Sequence, residues 1–589
     1  MAARDTIRKK PKDTKKAFKR LLVYVGRHKW ILMFVLVLCF AGNVLALLGP
    51  SLAGSAINEA AAGPGKVRFD RVFYYAKRML LCYVLSSVIT VSVNIAMMYV
   101  SKWIAKGMRK DVFDKLMRLP VGFFDRNQAG DIISRVSYDI DVVSTCLGTD
   151  IVQIITSLVT VAGSFLMMVY IAPPLAVVAL VSIPVAVVYV TRMRSITQPR
   201  FSKRSKNYGA MNGFVEEMFS GQKTIMAYAY EGRVAENFGR INKSAADAYY
   251  DADYYGVTLG PTVKSINNLS LCLIAVFGSF LYMKEMISIG NISSFVLYSR
   301  KFSGPINEIA NIMNELYSAL AAAERVFALL DEEEETGDRE GAGELADVKG
   351  NVELRNVSFG YEKGKTIIHD LSLNVEAGRL VAIVGPTGAG KTTIINLLMR
   401  FYDVDEGGIF VEGRDCRDYT RKSLRGAYAM VLQETWVFRG TIFDNIAYGR
   451  EGATMQEVVA AAKAAYIHSF IMRLPQGYET IVSEDGGNIS KGQKQLLTIA
   501  RAMLYDSKML ILDEATSNVD TKTERRIQKA MRELMKDKTC FVIAHRLSTI
   551  QNADTILVVD HGDVVEQGDH ESLMKRKGFY YRLYAAQFE

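Results

Sequence analysis

"LVAIVGPTGAGKTTIINLLM", residues 380–399, runs from an apolar strand through a glycine-rich loop into an apolar helix. Inside it Gly385, Pro386, Thr387, Gly388, Ala389, Gly390, Lys391 and Thr392 have the spacing of a P-loop, with Thr393 continuing the helix start. Glycines let backbone N–H groups wrap phosphates, Lys391 supplies a point charge to the outer ones, and the Thr392 hydroxyl can take magnesium. A strand, loop and helix in that order predict an α/β nucleotide-binding domain.

Working outward, "KMLILDEATSNVD" (508–520) is a second apolar strand ending in Asp513 and Glu514. Read alone it is a strand with a polar end. Beside a P-loop it supplies what hydrolysis needs, with Asp513 holding magnesium through water and Glu514 polarising the attacking water. "NISKGQKQLLTIARAML" (488–504) places Ser490, Gly492 and Gln493 ahead of an apolar helical run, with Lys491 in the first turn. Backbone donors at such a start suit a phosphate. Lysine adds bulk and charge where close backbone approach favours glycine.

The first half of the chain has a different character. Of 589 residues half are apolar, and in this half they form long runs with few charges, so a membrane region is predicted ahead of a soluble one. Six spans are expected near 30–54, 73–100, 149–171, 175–190, 257–283 and 287–320. Short connections alternate with long ones, 101–150 and 191–256, which hold most of the Arg and Lys. The positive-inside rule places these and both termini in the cytoplasm. Their helical apolar period makes them extensions of the spanning helices, with tips expected at "GFFDRNQAGDI" (122–132) and "AYEGRVAENF" (229–238) able to touch the soluble half. The run from 30 to 54 is too long for a signal-peptide core.

The net charge of +10 does not call for nucleic acid, because a basic arm from Arg4 to Lys29 accounts for much of it and suits an anionic lipid surface. Six scattered cysteines lack metal-ligand spacing. Lys264, Arg300 and Lys301 fall within or near expected spans. They indicate either a water-filled cavity for anionic or amphipathic cargo or side chains that snorkel or sit in the cytoplasmic extension of the last helix. The expected domains are a basic arm 1–29, a six-helix membrane domain 30–330, an acidic linker 331–348 that is solvated, and an α/β ATPase domain 349–589.

Tyr361, "GPTGAGKT", "VLQE" with Gln433, "ISKGQ", "LILDE", "SNVD" and "IAHR" with His545 follow one another in that order. The chain thereby resembles ATP-binding cassette exporters of the half-transporter type, specifically the catalytically competent subunit of bacterial heterodimeric multidrug-type exporters. The resemblance implies ATP and Mg2+ as cofactors. Tyr361 is then expected to stack on adenine, Gln433 to sense metal and γ-phosphate, and His545 to hold the γ-phosphate and the water. The "ISKGQ" loop is expected to reach the nucleotide of a second cassette chain. "ISKGQ" departs from the usual "LSGGQ", and "SNVD" from "SALD". With Lys391, Gln433, Asp513, Glu514 and His545 all present, the resemblance favours a heterodimer over a homodimer, leaving a nucleotide-gated channel of the same fold as the other reading. Cargo is expected to be small and amphipathic, drug-, lipid- or peptide-like.

Overall fold

The computed structural model describes residues 14–588 apart from 64, 363, 434, 484–486, 514–519 and 545–546. The chain forms two compact units, residues 1–119 with 127–334 and residues 120–126 with 335–589.

The first unit is helical. Its six long helices are Lys29–Ala60, Phe69–Leu116, a third run over Ala129–Ile171, Pro173–Ser220, Glu231–Met283 and Ile289–Leu330. Among the described residues the first, second, third and fifth are each long and apolar enough to cross a membrane. The expected fourth and sixth spans lie on the fourth and sixth helices, of 48 and 42 residues. At 1.5 Å per residue the 53-residue fifth helix is about 80 Å long, far more than a bilayer core of about 30 Å, so the long connections are indeed helix extensions. The fourth and fifth helices are tied along these extensions by Arg204, which meets Asp253 at 2.6 Å and covers the Tyr249 ring at 4.1 Å.

One tip lies earlier than its sequence suggests. The second turn is made by Gly221, a short helix Gln222–Ala227 and Ala229 with φ of +51°, whereas Glu231 already begins the fifth helix.

The first and sixth helices approach closely because both carry glycine at the crossing. A Cβ on Gly290 would lie 2.0 Å from the Gly54 carbonyl oxygen. Pro50, inside the first helix, has no N–H to give the Ala46 carbonyl. Lys301 fills that role, its Nζ donating to Ala46 O at 2.7 Å. Tyr298 Oη donates to Leu47 O at 2.5 Å and Ser294 Oγ to Pro50 O at 2.8 Å. Residues 294, 298 and 301 share one helix face, so three side chains dress the carbonyls around the proline. Lys301 thus caps backbone.

In the acidic run residues 331–334 are exposed, and several of its carboxylates carry ion pairs. Asp331 pairs with Arg20 at 2.7 Å and Glu334 with Lys115 at 3.1 Å, while Glu335 takes two bonds from Arg425, one of them 3.1 Å. Every described carboxylate named here has a cation beside it.

In the second unit the strands run β1 (Val352–Phe359), β2 (Ile368–Val375), β3 (Leu380–Val384), β4 (Glu406–Val411), β5 (Arg414–Asp415) and β6 (Tyr428–Val431). They continue as β7 (Gly440–Thr441), β8 (Ile481–Val482), β9 (Met509–Asp513), β10 (Thr539–Ile543), β11 (Thr555–Asp560) and β12 (Asp563–Gly568). The larger sheet has the order β12-β11-β3-β10-β9-β6, with β11, β3, β10, β9 and β6 parallel. A smaller antiparallel sheet runs β2-β1-β4-β5 and a two-stranded one pairs β7 with β8. Strands covered on both faces read as unbroken apolar runs. In β3, Val381 and Ile383 enter one core while Ala382 and Val384 enter the other.

Candidate functional site

The register of the large sheet gathers the motifs. Ile543 at the end of β10 pairs with Ile383 on one side and with Asp513 on the other, and Val431 of β6 pairs with Leu512 of β9. The P-loop after β3, Ala544 after β10, Asp513 ending β9 and Gln433 just beyond β6 thus emerge from four adjacent parallel strands at their carboxyl ends, where α/β sheets bind ligands. Glu514, His545 and the first three residues of "SNVD" lie outside the described residues; Asp513 and Ala544, which precede the two catalytic candidates, fix where the chain arrives.

Glycine shapes the loop at two points. A Cβ on Gly385 would lie 2.0 Å from Val559 O, and Gly390, with φ of +104°, caps the helix Lys391–Leu398 without any side-chain hydrogen bond. The first-turn N–H groups of that helix are therefore left for an anion. Thr387, Gly388 and Thr392 are exposed on the loop, with Pro386 beside them and Ala389 buried. Lys391 Nζ donates to Gly385 O at 2.9 Å and to Pro386 O at 2.8 Å. Burial lowers the Lys391 pKa while the Asp513 charge opposes that shift. This donor set fits a magnesium nucleotide: amides and an ammonium for the phosphates, one hydroxyl and one carboxylate for a cation that prefers to keep water and phosphate oxygens.

Thr393, a further nucleotide-binding candidate, follows Thr392 in the first turn of the same helix. It is 6% exposed, and its hydroxyl accepts from Tyr361 Oη at 3.3 Å. Asn396 Nδ2 donates to the same phenol at 3.3 Å, so Tyr361 is held by the helix that follows the P-loop. Its ring is 42% exposed and free to offer a face to a flat base.

The "ISKGQ" segment starts the helix Lys491–Tyr505 as its sequence predicts. Ser490 and Gln493 form a reciprocal cap: Ser490 N donates to Gln493 Oε1 at 2.8 Å, and Gln493 N donates to Ser490 Oγ at 3.3 Å. Gly492 is buried and Lys491 is exposed in the first turn.

Sequence reasoning missed Tyr402. Its ring lies 4.9 Å from that of Tyr361, edge to face, and its hydroxyl donates to Asp125 Oδ2 at 2.5 Å. Burial and then Asp125 raise the Tyr402 pKa. Gly122 belongs to the same contact, since a Cβ there would meet Tyr402 at 3.0 Å. The tip 120–126 is thus part of the second unit, one aromatic ring away from the expected adenine partner. Only the aromatic pair in "RFYDV" (400–404), just after the P-loop helix, could have signalled this.

Comparison with known proteins agrees with the geometry. Residues 32–306 match the family described as ABC transporter transmembrane region, and residues 368–517 match the family described as ABC transporter. The chain is 42% identical over 582 residues to the ABC transporter ATP-binding protein YfiC of Bacillus subtilis, covering 99% of this chain and 96% of that one. It is 45% identical to a fatty acid ABC transporter ATP-binding/permease protein of Mycobacterium bovis, covering 81% and 75%. It is 38% identical to an ATP-dependent lipid A-core flippase of Haemophilus influenzae, covering 84% of each. Among solved structures, a bacterial Atm1-family ABC exporter with ATP bound superposes with a TM-score of 0.74 at 29% identity, covering 95% of this chain and 99% of that one.

Proposed function

The chain belongs to the ABC transporters, as an exporter half-transporter that couples ATP hydrolysis to transport, and we propose that it works as one half of a heterodimer moving small amphipathic molecules out across the cytoplasmic membrane of a bacterium. The observation that carries the asymmetric reading is Lys491, placed in the first turn of the signature helix of a chain that otherwise has its full catalytic set. In a pair, that helix start faces the nucleotide held by the partner, and a lysine there hinders close approach of backbone. The site of this chain keeps Lys391 and the loop amides for phosphate, Thr392, Gln433 and Asp513 for magnesium, Glu514 as general base and His545 to hold the attacking water. ATP, when bound, supplies the leaving group and the free energy.

Six spans with both termini in the cytoplasm follow from the basic arm and the alternation of connections. The tips, 120–126 foremost, carry cassette movement to the helices, and the cavity alternates between the two sides. The names of the fatty acid and lipid A-core relatives support a lipid-like cargo.

Tagging this chain in its native cell, extracting it gently and identifying by mass spectrometry what co-purifies tests the pairing. An unlike cassette chain in one-to-one amount, with a standard signature and an altered catalytic carboxylate, is expected. Copies of this chain alone would overturn the heterodimer.

A further inference from the structure

Two carboxylates on the third helical run are buried and are treated differently. Asp139 is 2% exposed and Asp150 is 8% exposed. Each lies in a wide π-type turn, Arg135–Asp139 and Cys146–Asp150, and such turns recur at functional sites. Asp139 is neutralised by Arg325 through two bonds, Nε to Oδ2 at 2.9 Å and Nη2 to Oδ1 at 2.5 Å. Asp150 accepts from the Thr149 hydroxyl at 2.7 Å and from the Cys146 thiol, and among the described residues no cationic nitrogen is within 4.0 Å of it. An ionisable group beside an apolar span without a counter-charge costs several kcal/mol unless something else pairs it or it faces water.

Asp150 lines a cavity of about 800 Å³ bounded by the second, third and sixth long helices. Asn94, Ser101 and Ser144 supply hydroxyl and amide groups to its wall, and Met98, Val152 and Ile312 an apolar surface. The serines brace the helices, with Ser101 Oγ 2.8 Å from Ser144 Oγ, so the polar wall is built rather than accidental. Its charges are Asp150 and Glu315 against Lys102, a net of one negative. A carboxylate or phosphate entering it meets two like charges against the one ammonium of Lys102, whereas a cation meets two opposite charges, that of Asp150 buried, against one like charge.

We propose that this cavity receives the head of an amphiphile bearing a primary ammonium, with Asp150 as its counter-charge and Glu315 as a second acceptor. The lining has hydrogen-bond acceptors and, among the described residues, no aromatic ring. Quaternary ammonium groups, which cannot donate hydrogen bonds, are the cations that aromatic faces hold. A head with N–H donors is the one this wall satisfies. The inference deepens the export of small amphipathic molecules proposed above and rests on it, and it separates this chain from the fatty acid relative by the sign of the charge carried.

The test uses the whole transporter, with whatever partner co-purifies, in phosphatidylcholine proteoliposomes. ATP turnover is measured against dodecylammonium, dodecyltrimethylammonium and dodecanoate, which share one chain length. Dodecylammonium is expected to stimulate at the lowest concentration. In Asp150→Asn its half-maximal concentration is expected to rise by at least roughly tenfold, the scale of a lost charged hydrogen bond, and Asp150→Glu is expected to recover part of it. Glu315→Gln, at an exposed position that tolerates change, is expected to shift it in the same direction by less. Stimulation by dodecanoate at equal or lower concentration, or no shift in either neutral variant, would overturn the ammonium site while leaving amphiphile export standing. Failure of all three compounds to stimulate, together with no ATP-driven movement of any of them, would remove the export reading as well.

Discussion

Replacing Arg325 by Met leaves Asp139 with 3% of its side chain exposed and without the guanidinium that now holds both its oxygens. Breaking a buried ion pair by removing one partner costs about 3–5 kcal/mol. Arg325 keeps 24% of its own side chain in solvent, which places the expected loss toward the lower end, about 3 kcal/mol. For a unit of this size, about 2 °C of melting midpoint per kcal/mol gives a fall of about 6 °C. The double variant Asp139→Leu with Arg325→Met removes both charges at similar volume, and such replacements are often neutral. Its midpoint is expected within about 2 °C of the parent. The assay follows the fraction of detergent-extracted transporter that stays monodisperse after heating. A single variant as stable as the parent, or a double variant as unstable as the single one, would refute the reasoning that the desolvated carboxylate, not the pair's attraction, sets the cost.

Four further outcomes are expected. Tyr402→Phe keeps the ring against Tyr361 but removes the bond to Asp125, so ATP affinity should change little while cargo moved per ATP falls; an unchanged coupling ratio would separate the tip from the nucleotide. Gly290→Leu should abolish assembly of the membrane unit in expression and gel-filtration assays, because its Cβ would press on the Gly54 carbonyl, and a monodisperse variant would contradict the crossing. Burial works to raise the Glu412 carboxyl, but the Asn351 side chain and the amides of Gly350, Asn351 and Lys349 together hold it below its ordinary 4.5. The unfolded chain then binds the extra proton first, so protection of those amides from hydrogen exchange should be complete above pH 4.5 and lost as pH falls through the lower folded value; Glu412→Gln should lack that pH-dependent step. Lys491→Gly should tighten nucleotide binding at the partner's site while leaving ATP turnover of the assembled transporter nearly unchanged, because that site is expected to lack its catalytic carboxylate; a severalfold rise in turnover would contradict the asymmetric pair.

The nucleotide site was legible because phosphate binding depends on contiguous backbone. Residues 385–392 carry their loop geometry in their own order, and Ser490 with Gln493 announces a helix cap within four residues. What escaped notice depends on distant register. Tyr402 and Asp125 are 277 residues apart, Lys301 and Ala46 are 255 apart, and Arg325 and Asp139 are 186 apart. Nothing local marks Lys301 as the substitute donor for a carbonyl that Pro50 orphans. Helix extensions were readable from their apolar period, but the second turn was placed several residues late because Glu231–Phe238 is equally compatible with helix and with a polar tip. The pairing of Asp331, Glu334 and Glu335 was not legible because their cations, Arg20, Lys115 and Arg425, come from remote segments.

The central claim is that hydrolysis at the carboxyl edge of the large sheet drives amphiphile movement. The most direct measurement is the accumulation of dodecylammonium against its gradient in sealed proteoliposomes whose outward-facing cassettes receive ATP, compared between the parent transporter and Glu514→Gln. Uphill accumulation by the parent, with the variant still binding ATP but losing most turnover and all accumulation, is the predicted result. Near-normal turnover in the variant would remove Glu514 as the base, and ATP hydrolysis by the parent with no uphill movement of this or the other two amphiphiles would contradict the account.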